Sequence, residues 1–245
     1  MGPRQSIRSR GCDPLLSAEE LAAYGRRELQ ALAQAGREAA QRRLESAVRR
    51  CGIPSRFRDK NFANFTAVTP PQRQALTVCR TYAEQFETIH PRGDGLLLIG
   101  SPGTGKTHLA CAILTSVMRA GHPGLFVSVA AALRLLREAY SPHAQRTESQ
   151  TLALLTTPTL LVIDEMGLAI GSDDKRRAML FDVLNTRYAE LRPTILIGNL
   201  TAEEMEAYLG ERVMDRLLEG ASAVVSFTWP SYRRVGQNHR AIDAI

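Results

Sequence analysis

No run of apolar residues in this chain approaches the ~18 needed for a membrane-crossing helix. No apolar h-region follows the first arginines, so the start does not read as a secretory leader. Cys12, Cys51, Cys79 and Cys111 include no Cys-x-x-Cys pair. That scatter argues against a zinc ribbon, a thiol redox motif and a disulfide framework, and the simplest home is a reducing cytoplasm. Internal repeats and low-complexity tracts are absent. Lysine is nearly absent too: of 31 basic residues only Lys60, Lys106 and Lys175 are lysine.

What is present is a chain of 245 residues with 44% hydrophobic content, enough for one α/β domain and a smaller appendage. The net charge of +6 is uneven. Residues 1–60 hold 13 Arg/Lys against 7 Asp/Glu, and the remainder balances. A basic arm beside a neutral domain suits a polyanion or an acidic protein surface, and equally a solvated helix face.

Residues 1–16 lack periodicity and read as disordered. Ser17 to Glu20 form a capping box, and residues 17–51 are rich in Ala, Leu, Arg and Glu, with Gly36 as a break point. Leu21, Tyr24, Leu29, Leu32, Leu44 and Val48 give that helical region a thin apolar stripe, which must pack on another surface. Residues 52–69 read as an irregular linker. From Thr69 onward (domain 70–245), short apolar runs at 95–99, 124–129, 159–163, 194–197 and 222–228 alternate with helical patterns. That alternation predicts a five-stranded parallel sheet between helices.

Lys106 sits in Gly100, Ser101, Pro102, Gly103, Thr104, Gly105, Lys106 and Thr107, between an apolar strand and the helix opening at His108. Strand, glycine loop and helix are the context of a phosphate-binding loop. Its backbone N–H groups and the helix N-terminus attract phosphate. A compact lysine ammonium fits between phosphates where a planar guanidinium does not. The Thr107 hydroxyl is placed to hold Mg²⁺, and the loop reads as binding Mg·ATP. Asp164 and Glu165 close the third apolar run. Asp164 can hold Mg²⁺ through water, and Glu165 can orient and deprotonate an attacking water. Asn199 ends the fourth run, where an amide can bond both γ-phosphate and water. Arg212 and Arg216 lie four apart on one helical face, a spacing that fits local ion pairs or an arginine finger serving a neighbouring subunit.

These segments, with Leu209-Gly-Glu-Arg-Val-Met-Asp-Arg-Leu217 and Trp229-Pro-Ser-Tyr-Arg-Arg234, resemble the DnaC-type replicative helicase loaders of bacteria and phages. These are AAA+ P-loop ATPases, and the resemblance covers about residues 50–235. It implies that Arg216 acts in trans with Arg212 beside it, that Arg233 senses nucleotide in cis, and that the Asn199 strand lies between the P-loop and Asp164 strands. It implies that the helix end carrying Arg137 and Tyr140, and the loop with Ser172, Lys175, Arg176 and Arg177, face single-stranded DNA. It further implies that the N-terminal helices grip a hexameric replicative helicase, and that copies self-assemble with ATP between them. The short stretch after Trp229 implies little or no C-terminal lid. The P-loop and Asp-Glu pair are also similar to IstB-type transposition ATPases, and a nucleotide-gated single-strand-binding adaptor with negligible turnover is the non-enzyme reading.

Overall fold

A computed structural model of the chain describes Tyr24, residues 26–30, Leu32, Gln34, residues 51–139, Ser141 and residues 144–167 and 174–232. It divides into two compact units, Met1–Glu45 and Ser46–Ile245. In the first, the described residues are helical, and Tyr24, Leu29 and Leu32 are exposed. The expectations for residues 1–16 and for the break at Gly36 lie outside the described residues.

The second unit is built on β1 (Gly95–Gly100), β2 (Gly124–Ser128), β3 (Leu160–Met166), β4 (Thr194–Gly198) and β5 (Ala221–Phe227). All pair in parallel, in the order β2-β3-β4-β1-β5. The helices are α1 (Pro70–Glu84), α2 (Phe86–Ile89), α3 (Lys106–Arg119), α4 (Val129–Glu138), α5 (Glu148–Thr156), α6 (Asp174–Ala189), α7 (Ala202–Leu209) and α8 (Glu211–Glu219). β4 thus lies between β1 and β3, as the resemblance implied.

Alternation along the strands splits the core into two layers. Leu97, Ile99, Leu161, Ile163 and Leu196 face a cluster drawn from α4 to α8, including Leu133, Leu184, Met205 and Met214. The intervening residues Leu96, Leu98, Val162, Ile195 and Ile197 are as deeply buried. α3 is apolar nearly all round: Leu109 to Leu114 are buried without a gap. A helix of that kind belongs inside a protein, and here α1 packs on it as well as the sheet. Truncating Ile113 to Ala would cost about 2–5 kcal/mol.

Local signals explain where elements begin. Thr69 caps α1, with Pro70 at its first position and Gln72 reaching back to the Thr69 N–H at 2.8 Å. α5 and α7 open on capping boxes at Thr147 and Thr201. One arginine organises the far end of the sheet. Arg187 of α6 is wholly buried, and its guanidinium donates to the carbonyls of Leu155, Thr156, Pro158, Thr159 and Pro193 and to Thr194 Oγ1. It satisfies the orphan carbonyls closing α5 and ties them to the entries of β3 and β4. Burial presses this group down to about 9, which leaves it charged at neutral pH.

Between residues 52 and 69 the one helical element is a 3-10 turn at Ser55–Phe57. These residues are packed as part of the second unit. Ile53 and Phe65 are buried, and the Phe126 N–H donates to the Cys51 carbonyl at 2.6 Å.

Candidate functional site

Three strand ends converge on one cleft of about 410 Å³. β1 delivers the glycine loop, β3 delivers Asp164 and Glu165, and β4 delivers Asn199. Ligands of open α/β sheets bind at such carboxyl ends.

The loop's shape depends on its glycines. Gly100, Gly103 and Gly105 have positive φ of 119°, 76° and 98°. A Cβ at Gly105 would also lie 2.6 Å from Cε2 of Phe65, so two constraints require glycine there. Thr104 is buried, its hydroxyl donating to the Ser101 carbonyl at 2.7 Å. Lys106 is buried as well, and its Nζ donates to the carbonyls of Gly100 and Ser101 at 2.7 and 2.6 Å. The ammonium is held over the concave face of the loop, where a phosphate would compete for it.

The Thr107 hydroxyl donates to Asp164 Oδ2 at 2.9 Å. The other carboxylate oxygen accepts the Glu165 N–H at 2.7 Å. A hydroxyl and a carboxylate side by side are the hard oxygen donors that suit Mg²⁺. Burial pushes the Asp164 carboxyl above its usual range, against the pull of the Glu165 amide, the Thr107 hydroxyl and the Lys106 charge.

Glu165 was expected to follow the strand. Instead β3 continues to Met166, and its pairing with β4 slips between Ile163 and Met166. Glu165 sits in this bulge with φ of 66°, and its side chain is exposed to the cleft. The bulge turns the carboxylate out of the strand's alternation, at a backbone cost of about 1–3 kcal/mol.

The cleft also contains residues that motif reasoning left out. Arg56, Phe57 and Lys60 form one wall, and Tyr232 another. The wall segment is held by its own turn. Asn61 Oδ1 accepts from the Ala63 and Asn64 N–H groups, and the Asp59 carbonyl accepts from both asparagine amides. His108 Nε2 meets the Asn61 carbonyl at 2.9 Å; since a carbonyl only accepts, that nitrogen carries the proton. Burial lowers the His108 imidazole from its ordinary value, so it is neutral at neutral pH.

The loop is braced from behind by the segment after β5. The Trp229 indole N–H donates to the Thr104 carbonyl at 3.0 Å, and the Ser101 N–H to the Phe227 carbonyl at 3.1 Å. The Tyr232 N–H donates to the Gly103 carbonyl at 3.0 Å, while its hydroxyl donates to the Thr66 carbonyl at 2.6 Å. Phe65 stands edge-on to both His108 and Tyr232. The Trp-x-Ser-Tyr segment therefore has a physical role as the clamp of the phosphate loop.

Arg212 and Arg216 line a separate groove with Phe181, Asn185 and Gly210. Arg216 is half-buried, donates to Asn185 Oδ1 at 2.7 Å and lies 5.6 Å over the Tyr188 ring. Its positioning partners are thus an amide and an aromatic face. Neither arginine lines the cleft that holds Lys106. Arg137 is exposed in the last turn of α4. Tyr140, Ser172 and Arg233 lie outside the described residues. Lys175, Arg176 and Arg177 fall within the backbone of α6, and their side chains lie outside the description.

A parallel sheet in this order, with a glycine loop, an Asp-Glu strand end and a polar residue just past the strand between them, defines an AAA+ P-loop protein. The family model for IstB-like ATP binding proteins matches residues 17–240, and the chain belongs to that family. The chain is 33% identical over 219 residues to the replicative helicase loader DnaC of Escherichia coli strain K12, covering 89% of this chain and 87% of that protein. It is 32% identical over 193 residues to the loader of the same name from Buchnera aphidicola subsp. Acyrthosiphon pisum, covering 78% of this chain and 76% of the relative. The fold is similar to the crystal structure of the DnaC helicase loader, with a TM-score of 0.64 at 24% identity over 71% of this chain and all of that one.

Proposed function

We propose that this chain is an ATPase that loads a replicative DNA helicase onto single-stranded DNA. The observation that carries the reading is the extent of the likeness to the E. coli loader. At 219 residues it is longer than the unit from Ser46 to Ile245, so it runs into the N-terminal unit. A likeness owed to the P-loop domain alone would stop short of it.

The chemistry follows from the cleft. The loop amides and Lys106 hold the β- and γ-phosphates, the ammonium exchanging the Gly100 and Ser101 carbonyls for phosphate oxygens. The Thr107 hydroxyl and Asp164 carboxylate hold Mg²⁺, which when bound neutralises charge on the phosphates. Glu165 takes the proton of the attacking water, and Asn199 orients that water against the γ-phosphate. Arg216 completes the cleft of a neighbouring copy, where charge develops on the transferred phosphoryl group. The wall of Arg56, Phe57 and Lys60 covers the nucleoside side. Nucleotide state then controls assembly, and with it the grip on DNA by Arg137, Tyr140 and the 172–177 segment. The N-terminal unit, with Tyr24, Leu29 and Leu32 exposed, engages the hexameric helicase.

The test is a loading assay on closed circular single-stranded DNA, with the replicative helicase of the same host. ATP and this protein together should leave helicase on the circle after gel filtration. Helicase retention that is the same with and without this protein would overturn the reading. A second reading, a transposition helper, is favoured by the family model's own description. It requires stimulation of a partner transposase by the ATP-bound protein, with no transfer of helicase to the circle.

A further inference from the structure

We propose that Glu87, His90 and His122 form a Zn²⁺ site at the end of the domain remote from the ATP cleft. Glu87 belongs to α2, His90 begins the turn after it, and His122 lies between α3 and β2. α3 starts at Lys106 and runs for 14 residues, so His122 lies about 20 Å along the helix from the phosphate loop.

Donor chemistry and spacing both point to this metal. Two imidazoles and a carboxylate are a zinc set, whereas Mg²⁺ and Ca²⁺ take oxygen ligands. One donor atom from each residue lies within 4.8 Å of the others. His122 Nε2 is 2.7 Å from Glu87 Oε1, and His90 Nε2 is 3.6 Å from Oε2. Tetrahedral ligands at zinc bond lengths stand about 3.3 Å apart, so closure needs only small side-chain movements. Among the described residues this is the one His/Cys/Asp/Glu group of three so arranged. Residues 35 apart in sequence supply it, so it is no accident of local helix spacing.

The surroundings favour the same reading. The rings of His90 and His122 lie 4.8 Å apart, and Phe86 packs against both at 5.4 and 5.3 Å. Phe86 is buried, giving the site an apolar floor that fixes both rings. Glu87 is exposed, so a water can fill the fourth position, as in zinc sites with three protein ligands. The ion ties α2 to the exit of α3 and steadies the far end of the helix that carries Lys106.

The experiment is a Co²⁺ titration of the untagged full chain, followed by Zn²⁺ competition. Four-coordinate Co²⁺ absorbs strongly in the visible, and six-coordinate Co²⁺ in an oxygen site hardly does, so the two metal positions are distinguishable. We expect intense visible bands that Zn²⁺ abolishes and that persist in Asp164→Asn. Loss of an outer-shell partner costs about 10–100-fold in affinity, so His90→Asn, His122→Asn and Glu87→Gln should each cost about 100-fold or more. All three should leave ATP turnover without added zinc unchanged. His90 and Glu87 lie at the surface, so their variants test the site if His122→Asn fails to fold. Absence of the bands, or bands of equal affinity in the His90 and Glu87 variants, overturns the proposal.

Discussion

Thr107 and Asp164, 57 residues apart, are joined by a hydrogen bond of 2.9 Å at the centre of the cleft. The bond holds the carboxylate where burial disfavours its charge. The Asp164 carboxyl is raised in the folded state above its unfolded value. The cost of keeping it ionised is therefore absent below the unfolded value and present in full above the folded one. Stability should fall as pH rises through that interval. Asp164→Asn, which carries no charge, should melt higher than the parent at pH 7 without nucleotide, and the gap should close as the pH drops below about 4. The same variant should lose the effect of Mg²⁺. At a nucleotide concentration 100 times its Kd the parent gains about 2.7 kcal/mol, and the variant should gain nothing from added magnesium. Thermal melts with and without Mg·ATP check both halves.

Trp229 is expected to act on nucleotide through the loop. Trp229→Phe keeps an aromatic ring against Phe227 and removes the donor to the Thr104 carbonyl. A buried acceptor left alone costs about 1–3 kcal/mol. Part of that should appear as a rise of about 5- to 10-fold in ATP Kd, because the loosened residue lies in the loop itself. Calorimetric titration of folded variant measures it; an unchanged Kd would reduce the clamp to ordinary packing.

Arg187 separates stability from function. Replacing it with Met removes a shared donor from five carbonyls and the Thr194 hydroxyl, and of these the Pro193 carbonyl keeps the Leu161 N–H. We expect a loss of about 3–5 kcal/mol, at the extreme of single substitutions. The denaturant midpoint should fall with little change in slope. ATP affinity at low temperature, where the variant is folded, should stay within about twofold of the parent because α6's C-terminal end is remote from the cleft.

The positions of the strands and of the phosphate loop could be read directly because their residues repeat or punctuate in ways backbone physics dictates. Leu96 to Ile99 are apolar on both faces, as a central parallel strand must be, and Gly100 to Thr107 admit few other conformations. Arg187 escaped notice because it sits in a helical pattern where an arginine normally faces water; its burial depends on carbonyls gathered from residues 155–159 and from Pro193. The wall formed by Arg56 to Tyr232 escaped for a related reason. Phe65 and Tyr232 meet across the glycine loop, and nothing periodic in either segment announces the other. The bulge at Glu165 is set by where Met166 rejoins Gly198, a registration between strands.

Glu165 allows strain to be distinguished from chemistry. Its φ of 66° is one that glycine adopts freely and other residues adopt at a cost of about 1–2 kcal/mol. Glu165→Gly should therefore raise the melting temperature, offset in part by the added freedom of glycine in the unfolded chain, for a net gain of about 1 kcal/mol or less. Glu165→Gln keeps the backbone cost and should melt with the parent. Both lose the carboxylate proposed to accept a proton from water, a role worth about 10²–10⁴-fold in rate. Both should still bind ATP, since Lys106 and the loop amides are untouched. Steady-state phosphate release, ATP titration and thermal melts on the two variants give six numbers with one expected pattern. A melting temperature for Glu165→Gly below that of Glu165→Gln would mean the bulge is held by the glutamate side chain and not strained against it. Turnover within tenfold of the parent in Glu165→Gln would remove Glu165 as the base.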